Sequence, residues 1–223
     1  TSRQSIEDVL SDRDQRLVVV LGPCSIHDDK AALEYATFLQ TIKDKYSDTL
    51  ILVMRTYFSK PRTTIGWKGY IYDPRLDGTC DVNFGLENAR RLLINIVEKG
   101  VPCAMEHLDT IAPQYFGDLL SWAAIGARTT ESQVHRELAS GISTPIGFKN
   151  STSGDVMVAV NAVQASSQPQ QFFGCDDTGQ ITAIETTGNP YCHVIMRGGS
   201  ITGPNYGSEH TQKATCMLAE AKM

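Results

Sequence analysis

Six short apolar runs alternate with longer amphipathic segments along this chain, and that alternation limits the fold more than any other feature of the sequence. The runs cover residues 16–25, 50–55, 101–106, 123–128, 144–149 and 193–197. Each reads as a strand, and the first, closed by Gly22-Pro23, reads as a fully buried one. The segments after them have helical periodicity over residues 28–45, 85–99, 113–120, 131–139, 155–165 and from about 209 to the end. Apolar residues at Leu33, Tyr35, Leu39 and Ile42 share one face of the first of these, and Leu86, Leu93, Ile94 and Val97 one face of the second. Gly100 and Gly141 stand where helices should stop. A short helix over residues 5–10 precedes the first strand. Alternation of this kind implies a parallel sheet covered by helices, the class that includes the (β/α)₈ barrel.

The carboxyl ends of the six predicted strands carry Cys24, Arg55, Glu106, Arg128, Lys149 and Arg197. In parallel α/β folds those ends converge on the functional face. The second strand also leads into a basic loop, residues 56–69, holding Lys60-Pro61-Arg62-Thr63-Thr64 and Lys68. Taken alone, such a loop is better explained by solvation than by binding. With four cations at strand ends it reads as an anion-binding surface, because proline fixes the backbone before an arginine and two hydroxyls that can grip a phosphate. Cations in this excess over one glutamate call for small phosphorylated acids. Lys149 and Lys68 are the acid-base candidates, since an ammonium desolvated among cations gives up its proton more readily.

Length and charge exclude other classes. The 223 residues are 41% hydrophobic and 20% charged, enough for one core, and the expected organisation is a single domain over 1–223. A net charge of −5 argues against nucleic-acid or membrane-surface partners. No stretch approaches the roughly 18 apolar residues of a membrane span, and the first residues lack a signal peptide's apolar core, so cytoplasm is the expected location. Six cysteines without a Cys-x-x-Cys pair read as free thiols, with Cys103 and Cys192 as small buried residues. Residues 170–187 break the alternation. Two short strands around Asp176-Asp177-Thr178-Gly179 read there as an inserted β-hairpin.

Several motifs carry a resemblance. They are Gly22-Pro23-Cys24-Ser25-Ile26-His27-Asp28, Lys60-Pro61-Arg62-Thr63-Thr64 with Gly66-Trp67-Lys68-Gly69, and the run from Ser121 to Gly141. Gly147-Phe148-Lys149-Asn150 and Arg197-Gly198-Gly199 complete the set. Together they resemble the type I, aromatic-amino-acid-regulated 3-deoxy-D-arabino-heptulosonate 7-phosphate (DAHP) synthases. That resemblance implies a (β/α)₈ barrel with about six of its eight β-α units in this sequence. It also implies condensation of phosphoenolpyruvate with erythrose 4-phosphate, the first step of the shikimate pathway. Residues matching Arg55, Lys68, Glu106, Gly126, Ala127, Arg128, Lys149 and Arg197 would surround phosphoenolpyruvate, with Lys149, Lys68 and Arg55 as the catalytic set. Lys60, Pro61, Arg62 and Thr63 would hold erythrose 4-phosphate.

By the same resemblance Cys24 matches a ligand of a divalent metal (Mn, Fe, Co or Zn), whereas His27 matches none. Gln114, Ser143 and Phe172 would border a pocket for an inhibitory aromatic amino acid beside the hairpin, and assembly would be a dimer or tetramer. The family pattern continues past Met223 through two further β-α units, where an Asp-Phe-Ser-His-Ala-Asn motif and later acidic residues supply three of four metal ligands. The expected reading is therefore a fragment of a longer enzyme, with a non-catalytic relative that only binds phosphate ligands or partner subunits as the alternative.

Overall fold

A computed structural model describes residues 1–176 and 178–222. The chain divides into two compact units, residues 1–108 with 112–123, and residues 109–111 with 124–222. In the first, α1 (Ser2–Leu10) leads to β1 (Leu17–Leu21), α2 (Asp29–Lys45), β2 (Leu50–Arg55), α3 (Val82–Glu98), β3 (Cys103–His107) and α4 (Ala112–Phe116). A short 3-10 turn, Gly117–Leu119, then delivers the chain to β4 (Leu120–Ile125), which is divided between the units. β1 pairs in parallel with β2 from Leu17↔Leu50 to Leu21↔Met54, and β2 with β3 at Met54↔Cys103 and Arg55↔Ala104.

Local chemistry explains the boundaries. Asp28 caps α2 by accepting the Ala31 amide, and Asp81 caps α3 by accepting the Phe84 amide. Gly100, at φ +76°, ends the turn after α3 as expected. Phe58, Phe116, Leu39, Met54, Leu93 and Ile96, all fully buried, anchor the core of this unit. The exposed face of α3 corrects the expected one: Ile94 and Val97 are 37% and 38% exposed, while Asn88, Ala89 and Leu92 are buried. β1 is not fully buried either. Leu17 is 65% exposed and the rest of that strand only half-buried.

The second unit continues with α5 (Gln133–Gly141), β5 (Ile146–Lys149), α6 (Met157–Ser166), the hairpin strands β6 (Gln171–Cys175) and β7 (Ile181–Glu185), β8 (Cys192–Ile195) and α7 (Ser208–Glu220). β5 and β8 are parallel neighbours from Ile146↔Cys192 to Lys149↔Ile195. Ile146, Phe148, Leu138, Val160 and Val163 are buried in this unit. β6 and β7 form the expected antiparallel hairpin, paired from Gln171↔Glu185 to Cys175↔Ile181. Asp177, part of the turn expected from the sequence, and Met223 lie outside the described residues. No helix among the described residues is long and apolar enough to cross a membrane.

Candidate functional site

Two candidate residues of the first unit, Arg55 and Cys24, meet, although Cys24 does not stand at a strand end as expected. Arg55 closes β2 and lies half-buried, its guanidinium stacked on the Tyr57 ring at 3.7 Å from the centroid. Its Nη2 donates to the Cys24 carbonyl at 3.2 Å, while its buried Nε has no hydrogen-bond partner among the described residues. Cys24 lies three residues beyond β1 and is exposed. Lys60 Nζ approaches its sulfur to 2.9 Å. That hydrogen bond first, then the charges of Lys60, Arg55 and Arg62, lowers the thiol pKa against the opposing effect of burial. Glu106, 6% exposed, belongs to β3.

The basic loop is built from its base outward. The Lys60 amide donates to the Lys68 carbonyl at 2.8 Å and the Ile71 amide to that of Phe58 at 3.3 Å, closing a stem. Gly69 stands in it at φ +112°, and a Cβ there would lie 2.2 Å from the Phe58 carbonyl oxygen, so only glycine fits. Behind the stem, the Tyr70 hydroxyl donates to Asp29 Oδ1 at 2.6 Å and Asn88 Nδ2 to Asp29 Oδ2 at 2.6 Å. Arg62 folds back to donate to the Trp67 carbonyl at 2.6 Å. Thr63 and Lys68 are exposed, and Pro61 is half-buried. A loop clamped at its root, presenting cations at its tip, suits the capture of an anion from solvent.

In the second unit the candidate residues are fixed through their backbones. Lys149 ends β5 as expected, but Arg128 lies three residues past β4 and Arg197 two past β8, a correction to their placement at strand ends. Both strands stop early because the chain turns at Gly126 and at Gly198, the latter at φ +76°. In the Gly126-Ala127-Arg128 turn the amides of Thr129 and Thr130 return to the Gly126 carbonyl, and the buried Thr130 hydroxyl lies 2.7 Å from the Lys149 carbonyl, to which it donates. The Arg197 amide donates to Asn150 Oδ1 at 2.8 Å. No role for Asn150, Asn205, Thr130 or Tyr57 follows from the sequence, although Asn150 and Thr130 stand within the motifs quoted above. Asn150 directly follows Lys149, and that adjacency was the one available signal.

Ser143 lies just past α5 and Phe172 is half-buried in β6. The hairpin is docked against the end of α5, with Thr186 Oγ1 2.7 Å from Ser140 Oγ, and a Cβ on Gly141 would lie 2.8 Å from Thr186 Cγ2. Gln114, exposed on α4, belongs to the first unit. Among the described residues no group of three or more His, Cys, Asp or Glu gathers as a metal site, and the Cys24 sulfur is engaged by an ammonium. These residues alone therefore do not fit a metal.

Comparison with known proteins gives the family. The model of the DAHP synthetase I family matches residues 2–223. The chain is 57% identical over 205 residues to the Tyr-sensitive phospho-2-dehydro-3-deoxyheptonate aldolase of Escherichia coli K12, covering 92% of this chain and 57% of that protein. With the Trp-sensitive enzyme of the same organism it shares 53% over 219 residues, 98% of this chain and 62% of the other. A solved structure of phospho-2-dehydro-3-deoxyheptonate aldolase from Francisella tularensis SCHU S4 superposes with a TM-score of 0.97 at 51% identity, over 99% of this chain and 64% of that one. The chain thus spans less than two thirds of the length of these relatives, and its fold is a partial (β/α)₈ barrel. A match over residues 2–223, joined to this likeness in sequence and structure, establishes that the chain belongs to the DAHP synthetase I family.

Proposed function

We propose that this chain carries the substrate-binding part of a 3-deoxy-7-phosphoheptulonate synthase, which condenses phosphoenolpyruvate with erythrose 4-phosphate and releases phosphate. The observation that carries the reading is the cluster of Arg55, Lys60 and Arg62 around the β1 and β2 ends, with an unpartnered buried guanidinium nitrogen, in a chain of this family. Arg55, Lys68 and Glu106 of the first unit, and Gly126, Ala127, Arg128, Lys149 and Arg197 of the second, are the proposed phosphoenolpyruvate residues. Lys60, Pro61, Arg62 and Thr63 are those for erythrose 4-phosphate.

In this reading the guanidinium forks fix the phosphate and carboxylate oxygens while C3 of the enol phosphate attacks the aldehyde carbon, the aldehyde oxygen takes up a proton, water adds at C2 and inorganic phosphate leaves. Lys149 and Lys68 are the proposed proton-moving groups. Cys24 is this chain's one proposed ligand for a divalent metal (Mn, Fe, Co or Zn), and no step is assigned to the metal. The names of the relatives support control by an aromatic amino acid, with Gln114, Ser143 and Phe172 as the proposed effector residues and a dimer or tetramer as the proposed assembly.

Calorimetric titration of this chain with phosphoenolpyruvate, and a turnover assay with erythrose 4-phosphate and Mn²⁺ with and without chelator, test the reading. Saturable binding that Arg55→Ala abolishes is the expected result, whether or not turnover follows. No binding of phosphoenolpyruvate would overturn it. Binding without turnover, with activity restored in a longer chain, would mark this span as the substrate-binding part, whereas binding that a longer chain also fails to convert into turnover would favour a module that holds phosphate ligands only.

A further inference from the structure

Two buried carboxamides in the second unit are more completely used than a packing role requires. Asn150 and Asn205 are 0% and 1% exposed. The Asn150 Oδ1 accepts the Arg197 amide at 2.8 Å and the Asn205 Nδ2 at 3.2 Å, and its Nδ2 donates to the carbonyls of Gly198 at 3.0 Å and Ser151 at 2.9 Å. The Asn205 Oδ1 accepts the Gly198 amide at 2.7 Å. Every donor and acceptor of Asn150 is thereby engaged. Three successive backbone groups of one turn, the Arg197 N–H, the Gly198 N–H and the Gly198 C=O, are gripped by two side chains.

The turn has no freedom on its other side. A Cβ on Gly199 would lie 2.1 Å from the Gly154 nitrogen, and the amides of Ser200 and Ile201 are held by the carbonyls of Thr152 and Ser153. Asn150 is also the residue after Lys149, and its own amide completes the ladder with Ile195 at 3.0 Å. One residue therefore sets the end of β5 and the backbone of Arg197 together. The Arg197 side chain itself is exposed. Its root is fixed while its guanidinium faces solvent. Pre-organising a long cation in this way matters for ligand binding, because it removes part of the ordering cost that a flexible arginine would impose.

We propose that Asn150 and Asn205 are positioning residues that set Arg197 against Lys149 so that both cations meet one oxyanion of the substrate. The proposal rests on the reading of Lys149 and Arg197 as phosphoenolpyruvate residues. Its test is a double-mutant cycle on the whole chain, read by calorimetric affinity for phosphoenolpyruvate with the thermal midpoint measured alongside. Asn205→Ala strips the Gly198 amide of its acceptor and is expected to weaken binding on the order of tenfold, the scale of one misaligned charge-assisted hydrogen bond. Asn205→Asp keeps that acceptor but loses the donor to Asn150, and should fall between. In an Arg197→Ala background, Asn205→Ala should add less than about twofold.

Ser166→Ala is the stability control, since Ser166 is buried and bonds the Arg136 carbonyl at 3.0 Å without touching the turn. It should lower the midpoint and leave affinity within about twofold. An Asn205→Ala effect on affinity that persists undiminished without Arg197, or a folded Asn205→Ala chain with unchanged affinity, would overturn the positioning role. Failure of the unmodified chain to bind phosphoenolpyruvate would instead overturn the functional reading, and the positioning role with it.

Discussion

The Lys60 ammonium lies 2.9 Å from the Cys24 sulfur, in a position to donate a charge-assisted hydrogen bond to a thiolate. Because the folded thiol pKa is lowered, the thiolate's added stability is present above the ordinary thiol range and is lost as pH falls through the folded value. Iodoacetamide should therefore modify Cys24 before the other cysteines. Lys60→Met should move the pH profile of that modification upward. Cys103 and Cys192, buried and pushed up to about 12, should react only on unfolding. Mass spectrometry of the alkylated peptides reads all three, and equal Cys24 profiles in both proteins would sink the idea.

Gly69→Ala places a methyl against the Phe58 carbonyl in a backbone conformation that alanine resists. Relief requires the stem to open, so a loss of roughly 2–3 kcal/mol is expected from strain plus displaced hydrogen bonds. Urea denaturation gives the number. Gly78→Ala, also at positive φ but with nothing within 4 Å, serves as the comparison and should cost no more than about 1 kcal/mol. Equal losses for the two would show that the contact with Phe58 is not what restricts Gly69.

Much of this was legible in the sequence, and the misses have physical causes. The six strands and the hairpin could be read because buried parallel strands are near-continuous apolar runs and the hairpin turn carries Asp and Gly. The face of α3 could not, because a buried Asn88 looks polar until its partners Asp29 and Tyr70, 59 and 18 residues away, are known. The half-exposure of β1 followed no local signal, since Val18-Val19-Val20 reads alike in a central strand and an outer one. Candidate cations were legible from their type and position. The amides and rings that hold them, Asn150, Asn205 and Tyr57, were not, because asparagine and tyrosine have many uses and only the contact shows which applies.

The Tyr70, Asp29 and Asn88 cluster ties the root of the basic loop to α2 and α3. Burial, then the hydrogen bond to the Asp29 carboxylate, pushes the phenol pKa up, so the hydroxyl remains a donor throughout the working pH range. Tyr70→Phe removes that donor while keeping the ring against Phe58, at 5.8 Å between centroids. A destabilisation of about 1–3 kcal/mol is expected, from a carboxylate left short of one partner. Asp29→Asn should recover part of it in the Tyr70→Phe background, because the uncompensated charge is then gone. A double variant no more stable than Tyr70→Phe alone would show that the charge is not the cause.

The Arg90 guanidinium grips both oxygens of Asp118, Nη1 at 2.9 Å and Nη2 at 2.6 Å, and also donates to the Tyr115 carbonyl. The hydrogen bond from Arg90 is the main cause that lowers the Asp118 pKa. A carboxylate depressed in the folded state contributes stability above its unfolded value, near 3.9, and loses it as pH falls through the folded one. The Asp118 side chain is 58% exposed, so solvent screens the pair and even this bidentate geometry should be worth no more than about 1 kcal/mol. Asp118→Asn should therefore lower the urea midpoint slightly at pH 7, less in 1 M salt, and not at all once the pH is below the folded value. A deficit that persisted unchanged into that acid range would assign the effect to packing of the 3-10 turn rather than to charge.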